Sequence, residues 1–302
     1  MIALLAPGQG SQTPGMLAEW LTLPGAADRI AAWSQISGLD LARLGSTATA
    51  EEITDTAVTQ PLVVATTLLA YDELVRRGLP SADNTIVAGH SVGEIAAYAI
   101  AGVISADDAV RLAAVRGAEM AKACASEPTG MSAVLGGDEA EVLARLEALE
   151  LVPANRNAAG QIVAAGAVAA LEKLAEDPPA KARVRALATA GAFHTHYMAS
   201  AMDGYAAAAA DVSAADPRAT LLSNVDGEPV TSGADAMAKL VAQLTRPVRW
   251  DLCTATMRQR DTTAIVEFPP AGALTGIAKR ELRGVATHAV KTPADLECLA
   301  DL

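Results

Sequence analysis

Short apolar runs alternate with longer Ala- and Leu-rich stretches along most of the chain. Such alternation is typical of α/β folds, in which helices separate successive strands. The pattern predicts strands over residues 2–6, 85–88, 219–223, 264–268 and 285–290. It predicts helices over residues 60–77, 93–101, 107–122 and 237–243.

The middle of the chain has a different order of elements. Strands are predicted over residues 131–135, 152–155, 161–165 and 183–188, with helices over residues 138–149 and 168–175. The order β-α-β-β-α-β is that of the ferredoxin-like split motif. Pro128 and Gly130 precede it and Gly191 follows it, and both residue types interrupt regular structure. We therefore expect a small inserted subdomain at residues 128–191, and a larger α/β domain built from residues 1–127 and 192–302.

A possible nucleophile lies in Gly89-His90-Ser91-Val92-Gly93, between a predicted strand and a predicted helix. Gly-x-Ser-x-Gly at such a turn is the nucleophile elbow, in which the glycines let the chain turn tightly and the serine points outward. The N–H groups at the start of the following helix favour a developing oxyanion. Because serine and glycine are common, the pentapeptide alone also fits a plain strand–helix turn.

A serine nucleophile needs a base, which is most often a histidine. We expect His90 to support the turn, because it adjoins Ser91 and its side chain leaves in another direction. His288 lies in an apolar run and is expected to be a core residue. His194 and His196 lie in a loop that leads into a helix, and their spacing alone does not decide which of them is the base.

Arg116 falls on the apolar stripe of the helix predicted over residues 107–122, whereas Arg111 does not. A buried guanidinium is costly unless it meets an anion. Two interpretations remain open: an internal ion pair with an Asp or Glu, or a bidentate clamp for a substrate carboxylate.

Composition excludes several classes of protein. The formal net charge is −12, which gives no basic field for nucleic acid. No apolar stretch approaches the ~20 residues of a membrane span, and the N-terminus lacks the basic region of a signal peptide. Three scattered cysteines, Cys124, Cys253 and Cys298, predict neither a disulfide framework nor a metal knot. We expect a cytoplasmic protein that binds no nucleic acid, membrane or metal.

Taken together, the motifs resemble the malonyl-CoA:acyl carrier protein transacylase family over essentially the whole chain. The residues that carry the resemblance are Gly8-Gln9-Gly10-Ser11-Gln12, Gly89-His90-Ser91-Val92-Gly93-Glu94, Arg116, Asn155-Arg156-Asn157, Gly191-Ala192-Phe193-His194, Gln243 before Pro247-Val248-Arg249-Trp250, and Ala271-Gly272-Ala273-Leu274-Thr275-Gly276. One departure is Pro269-Pro270-Ala271-Gly272, where the family more often has Gly-Pro-Gly. The resemblance implies a hydrolase-like core with a parallel sheet, and a ferredoxin-like insert.

The resemblance also assigns roles to individual residues. It implies Ser91 as nucleophile, His194 as base, Arg116 as the malonyl carboxylate site, and the backbone N–H groups of Gln9 and Val92 as the oxyanion hole. It implies that a backbone carbonyl near Gln243 orients the histidine. His90, Asn155 and Phe193 are further expected binding residues, and Phe193 is expected to exclude the methyl group of methylmalonyl.

The implied reaction is a ping-pong transfer of malonyl from malonyl-CoA to the phosphopantetheine thiol of acyl carrier protein in fatty-acid synthesis. No cofactor is expected, and we expect a monomer. Three alternatives stay open: a trans-acting acyltransferase of a polyketide pathway, a serine thioesterase or other hydrolase, and a non-catalytic module that docks carrier protein.

Overall fold

Two β-sheets organise the computed structural model, which describes residues 1–78 and 84–299. The strands in these ranges are β1 (Ile2–Ala6), β2 (Thr85–Gly89), β3 (Thr129–Gly136), β4 (Val152–Ala158), β5 (Gln161–Ala167), β6 (Ala182–Ala186), β7 (Thr220–Leu221), β8 (Ala264–Glu267) and β9 (Ala286–Ala289).

The α-helices in the same ranges are α1 (Ala26–Ser37), α2 (Leu41–Ser46), α3 (Thr56–Arg76), α4 (Gly93–Ile100), α5 (Ala106–Cys124), α6 (Glu139–Ala148), α7 (Val168–Glu176), α8 (Met202–Ala210), α9 (Gly233–Ala242), α10 (Trp250–Gln259) and α11 (Ala273–Glu281). Short 3-10 helices lie at Trp20–Thr22, Glu52–Thr54, His196–Ala201, Gln243–Thr245 and Pro293–Leu299.

The first sheet is parallel, with the strand order β7-β2-β1-β8-β9 in the described part of the chain. Each predicted strand of this sheet is present. β1 has the predicted bounds, and β7 and β9 are shorter than predicted. Both faces of the sheet are covered: Ala3 and Leu5 of β1 pack into one core cluster, and Leu4 and Ala6 pack into another. Burial on both faces explains why these strands are continuous apolar runs.

The second sheet is antiparallel, with the order β4-β5-β3-β6. Together with helices α6 and α7, it has the ferredoxin-like arrangement that the β-α-β-β-α-β order predicts. A separate core cluster, which includes Val134, Leu146 and Leu174, lies between this sheet and its helices. The α/β fold with a parallel sheet and a small ferredoxin-like unit is therefore confirmed. The limits 128–191 for that unit stay a prediction.

The predicted helices are present as α3, α4, α5 and α9 in the first unit, and as α6 and α7 in the second. Sequence patterning gave no bounds for α1, α2, α8, α10 and α11. Cys253 is buried in α10. No helix among the described residues is long and apolar enough to cross a bilayer.

Candidate active site

The loops that follow adjacent parallel strands meet at one edge of the first sheet. Gln9 follows β1, Ser91 follows β2, Asn224 follows β7 and Gly272 follows β8. The carboxyl edge of an open parallel sheet is the usual place for a binding site in α/β proteins. A cavity of about 930 Å³ lies between this edge and the small antiparallel sheet, whose β4 and β3 supply Asn155 and Leu135 to its wall.

The turn between β2 and α4 has the geometry of a nucleophile elbow. A Cβ atom on Gly89 would lie 2.0 Å from the Gly93 carbonyl oxygen, and one on Gly93 would lie 2.2 Å from the Ala6 carbonyl oxygen. Only glycine fits at either position without a backbone shift. Ser91 itself has φ of +55°, a left-handed conformation that is uncommon for a residue other than glycine. The tight turn directs the Ser91 side chain into the cavity.

His194 is the histidine that contacts the serine. Its Nε2 atom lies 2.7 Å from Ser91 Oγ, and its Nδ1 atom lies 2.9 Å from the Gln243 carbonyl oxygen. Because a carbonyl can only accept, Nδ1 carries the proton, and Nε2 is left free to accept the Ser91 proton. His196 is exposed and its ring lies against Tyr197. The geometry thus separates two histidines that spacing could not.

The electrostatic environment keeps His194 neutral. Burial, and next the positive charge of Arg116, lower the pKa of His194 from 6.5 to about 3. A carbonyl rather than a carboxylate lies behind the ring, so no anion offsets these effects. The histidine is therefore uncharged over the whole physiological range, which is the state that can accept a proton from Ser91.

Arg116 lies on α5 beside the nucleophile, with only 1% of its surface exposed. Its Nη1 donates to Gln60 Oε1 at 2.8 Å and its Nη2 to Gln243 Oε1 at 2.7 Å, and Nη2 also lies 3.4 Å from Ser91 Oγ. None of the ion pairs in the described part of the chain includes Arg116, so the interpretation as an internal ion pair is wrong. Its buried Nε donates to no described group. This guanidinium lines the cavity. The groups that accept its hydrogen bonds are all uncharged.

Other residues that the resemblance implied also reach the cavity. Gln9, His90, Asn155 and Phe193 line it. The buried Asn155 Oδ1 has no partner among the described residues, which leaves it free to accept from a bound molecule. His90 Nε2 lies 2.8 Å from Asn157 Oδ1, so the His90 ring leaves the elbow away from Ser91, as expected.

Val92 and Gln243 do not line the cavity with their side chains. Val92 is fully buried at the start of α4. In the described part of the chain, the backbone N–H groups of Gln9 and Val92 donate to no protein acceptor, as an oxyanion hole requires. Gln243 is buried behind the dyad, where its carbonyl and side chain hold His194 and Arg116.

Sequence reasoning missed Asn224 and Gln60. Asn224 Oδ1 accepts the Ser91 N–H at 2.8 Å, and its Nδ2 donates to the Gly89 carbonyl oxygen at 2.7 Å. Its position directly after the strand predicted over residues 219–223 was the available signal. Gln60 lies among apolar residues of α3, and that position could have marked it as a buried polar contact. Across the described residues, no group of His, Cys, Asp and Glu side chains could hold a metal ion.

Comparison with known proteins decides the family. Residues 4–294 match the family model described as "Acyl transferase domain". The chain belongs to the acyl transferase family. The matched region of this acyltransferase includes the Ser91–His194 pair and Arg116.

Several proteins with similar sequences share the name malonyl CoA-acyl carrier protein transacylase. A malonyl CoA-acyl carrier protein transacylase from Mycobacterium tuberculosis strain H37Rv is 76% identical over 302 residues, which is all of both chains. The corresponding Escherichia coli K12 protein is 33% identical over 307 residues, with 99% of each chain covered.

Solved structures agree with the fold. A crystal structure of MCAT from Mycobacterium tuberculosis has a TM-score of 0.98 at 77% identity and covers 99% of each chain. PlMCAT, described as a malonyl-transacylase in complex with the type II PKS acyl-carrier protein AntF, has a TM-score of 0.93 at 29% identity, again with 99% of each chain covered. The acyltransferase fold therefore extends over the whole described chain.

Proposed function

We propose that this acyltransferase moves a malonyl group from malonyl-CoA to the phosphopantetheine thiol of an acyl carrier protein, through a malonyl ester on Ser91. The observation that carries the proposal is Arg116, a buried guanidinium beside the nucleophile with no carboxylate partner in the described chain. A planar fork of donors matches a carboxylate through two parallel hydrogen bonds. The substrate that completes this site is therefore an acyl group that ends in a carboxylate.

The first half-reaction acylates the enzyme. Ser91 Oγ attacks the thioester carbonyl while its proton passes to His194 Nε2, and the backbone N–H groups of Gln9 and Val92 stabilise the oxyanion. The carbon–sulfur bond then breaks. His194 returns the proton to the departing CoA sulfur, which leaves malonyl esterified to Ser91.

The second half-reaction runs the same chemistry in reverse. The phosphopantetheine thiol loses its proton to His194 Nε2, and its sulfur attacks the ester carbonyl. The ester bond to Ser91 Oγ breaks, and Oγ recovers the proton from His194. Each step conserves protons between serine, histidine and thiol, so the proposed reaction needs no cofactor.

The relatives support both the donor and the acceptor, since their names contain malonyl CoA and acyl carrier protein. We place the activity in fatty-acid synthesis. The likeness to PlMCAT, which is in complex with a type II PKS carrier protein, favours a polyketide carrier as the second candidate. We further propose that the enzyme works as a monomer in the cytoplasm. The small number and wide spacing of the cysteines, Cys124, Cys253 and Cys298, support a reducing compartment.

Initial velocities at varied malonyl-CoA and holo-acyl carrier protein test the proposal. We expect parallel double-reciprocal lines, because CoA leaves before the carrier protein reacts. Without a carrier protein, release of free malonate is expected to be slow. Rapid malonate release that carrier protein does not slow would contradict transfer and identify a thioesterase. Fatty-acid and polyketide carrier proteins compared at equal concentration distinguish the two pathways.

A further inference from the structure

Glu94, directly after the nucleophile elbow, is fully buried and has no role in the mechanism above. We propose that Glu94 is a positioning residue: its two carboxylate oxygens hold Asn224 and Gln243, which in turn hold the main chain of Ser91 and the guanidinium of Arg116. The proposal rests on the proposed function insofar as that function makes Ser91 the nucleophile.

The contacts form a closed set around the serine. Glu94 Oε1 accepts from the Asn224 backbone N–H at 2.7 Å, and Glu94 Oε2 accepts from Gln243 Nε2. Asn224 Oδ1 accepts the Ser91 N–H, and Gln243 Nε2 donates to the Ser91 carbonyl oxygen at 3.1 Å. Both backbone groups of the strained serine are thus held by residues that Glu94 holds. A left-handed serine persists only where its surroundings fix it in this way.

The same carboxylate sets the orientation of the Gln243 amide. An ionised carboxylate only accepts and a guanidinium only donates, so between Glu94 and Arg116 the amide has one satisfied orientation. In that orientation Nε2 faces Glu94 and Oε1 accepts from Arg116 at 2.7 Å. The position of the carboxylate site therefore depends on a glutamate that does not touch the substrate.

Neither a protonated Glu94 nor a glutamine can replace the ionised form. Each Glu94 oxygen faces an N–H donor, and a proton on either oxygen makes that oxygen a much weaker acceptor for its donor. A glutamine would direct its NH₂ group at one of the same donors. Because the side chain is buried, no water replaces the lost partner, and the Gln243 amide or the Asn224 loop must move.

Titration of Glu94 gives the proposal a specific signature. Burial raises its pKa from 4.5 to about 7, while hydrogen bonds from Asn224 and Gln243 and the charges of Arg116 and Lys239 act in the opposite direction. The other titratable groups that interact with it are Tyr98 on α4, Tyr205 on α8 and Cys253 on α10. Since the pKa of His194 is near 3, an inflection near pH 7 in Ser91 reactivity belongs to Glu94.

The test is the rate at which a fluorophosphonate labels Ser91, followed by intact mass between about pH 5.5 and 8.5. This probe needs the nucleophile and the base but no malonyl group. Its outcome is therefore separate from the outcome of the malonyl-CoA assay, which tests the proposed function. We expect labelling of the native chain to fall as the pH drops through about 7. We expect Glu94→Gln to label ~10²-fold more slowly at high pH, with no inflection.

The matched control is Glu73→Gln. Glu73 is also buried and accepts hydrogen bonds from Arg76 and Arg77, but it lies thirteen residues, roughly 20 Å, along α3 from Gln60. The control should label at the native rate with the native pH profile. A folded Glu94→Gln that labels like the native chain, or that keeps the inflection, would overturn the proposal.

If Glu94→Gln does not fold, Glu94→Asp decides the question. Aspartate keeps an ionisable carboxylate but is one methylene too short to reach both partners. The proposal predicts slower labelling than native, with the inflection retained. Labelling of Glu94→Asp at the native rate, or slower labelling with a flat pH profile, would contradict it.

Discussion

At the residue scale, the site differs from a Ser-His-Asp triad in what lies behind the histidine. The Gln243 carbonyl fixes the tautomer of His194 without adding negative charge. The nearby positive charge of Arg116 therefore remains available to an incoming anion, whereas an aspartate at that place would attract the same guanidinium. Because no carboxylate lies behind His194 to pair with Arg116, the site favours an acyl group that carries its own carboxylate.

The assignment of the base predicts unequal effects at two neighbouring histidines. His194→Ala should slow malonyl transfer by ~10²–10⁴-fold, because general-base assistance to Ser91 is lost. His196→Ala should leave the rate near native, since His196 is exposed and does not contact Ser91. Both rate constants are measured by quenched-flow acylation. A larger loss at His196 than at His194 would show that the base is misassigned.

Arg116 makes a prediction about substrate choice. Arg116→Ala should reduce kcat/KM for malonyl-CoA. The corresponding loss of transition-state stabilisation should be the ~2–5 kcal/mol typical of a buried charge pair that loses one partner. Acetyl-CoA has no carboxylate, so any transfer of its acetyl group should survive or improve. Arg116→Lys should recover little malonyl transfer, because a point charge cannot reproduce the planar fork.

Specificity constants for both thioesters and the melting temperature are measured on the same preparations. Equal losses toward malonyl-CoA and acetyl-CoA, together with a lower melting temperature, would mean that Arg116 serves only the fold.

At the scale of the elements, the elbow depends on contact between α4 and the end of β1. Gly93→Ala would put a Cβ atom 2.2 Å from the Ala6 carbonyl oxygen, so we expect a loss of ~1–3 kcal/mol of stability. Gly276→Ala is the matched control: it lies in α11 with no atom within 4 Å of the new Cβ, and it should stabilise that helix by about 1 kcal/mol. Denaturant melts of both variants measure whether the free energy of unfolding falls in Gly93→Ala and rises in Gly276→Ala. A Gly93→Ala chain as stable as native would contradict the close approach.

The sequence predicted best those elements whose formation depends on the residues within the element itself. β1, β2 and β8 are buried on both faces, so each is a continuous apolar run. α11 was missed because its N-cap, Gly272, has no side chain; the Glu267 carboxylate, seven and eight residues earlier, accepts from the N–H groups of Leu274 and Thr275 instead. The N-cap of α1 is Gly25, which has no side chain to accept from the first N–H groups of the helix. Contacts of this kind become visible only once the chain is folded.

The same distinction applies to the site. Ser91 and Arg116 stood out because a motif and a helical stripe marked them locally. His194 could not be separated from His196 by spacing, since only the tertiary contact with Ser91 tells them apart. Asn224 and Gln60 lie 133 and 56 residues from the groups they hold, so their local positions could mark them as buried polar residues but could not show which groups they contact.

At the scale of the whole molecule, buried histidines link stability to pH. Folding lowers the pKa of His194 from 6.5 to about 3, and burial lowers the pKa of His90 in the same direction. Between these pH values the unfolded chain binds a proton at His194 that the folded chain does not. The contribution of His194 to the free energy of unfolding is therefore fully present above pH 6.5 and is lost as the pH falls toward 3.

Comparison with His194→Ala isolates this contribution, because Glu94, whose raised pKa acts with the opposite sign, is present in both chains. Between pH 8 and pH 5 we expect the native chain to lose about 2 kcal/mol more unfolding free energy than the variant. Urea melts at the two pH values check the difference. Equal losses would mean that His194 is not buried as a neutral group.

In the proposed mechanism, Ser91 carries the malonyl group between donor and carrier. Intact mass of the chain after brief exposure to malonyl-CoA tests it directly, with Ser91→Ala treated in parallel. We expect one added malonyl group on the native chain, located by peptide mapping at Ser91, and none on the variant. Acylation that persists in Ser91→Ala, or a native chain that turns over malonyl-CoA without ever carrying the group, would contradict it.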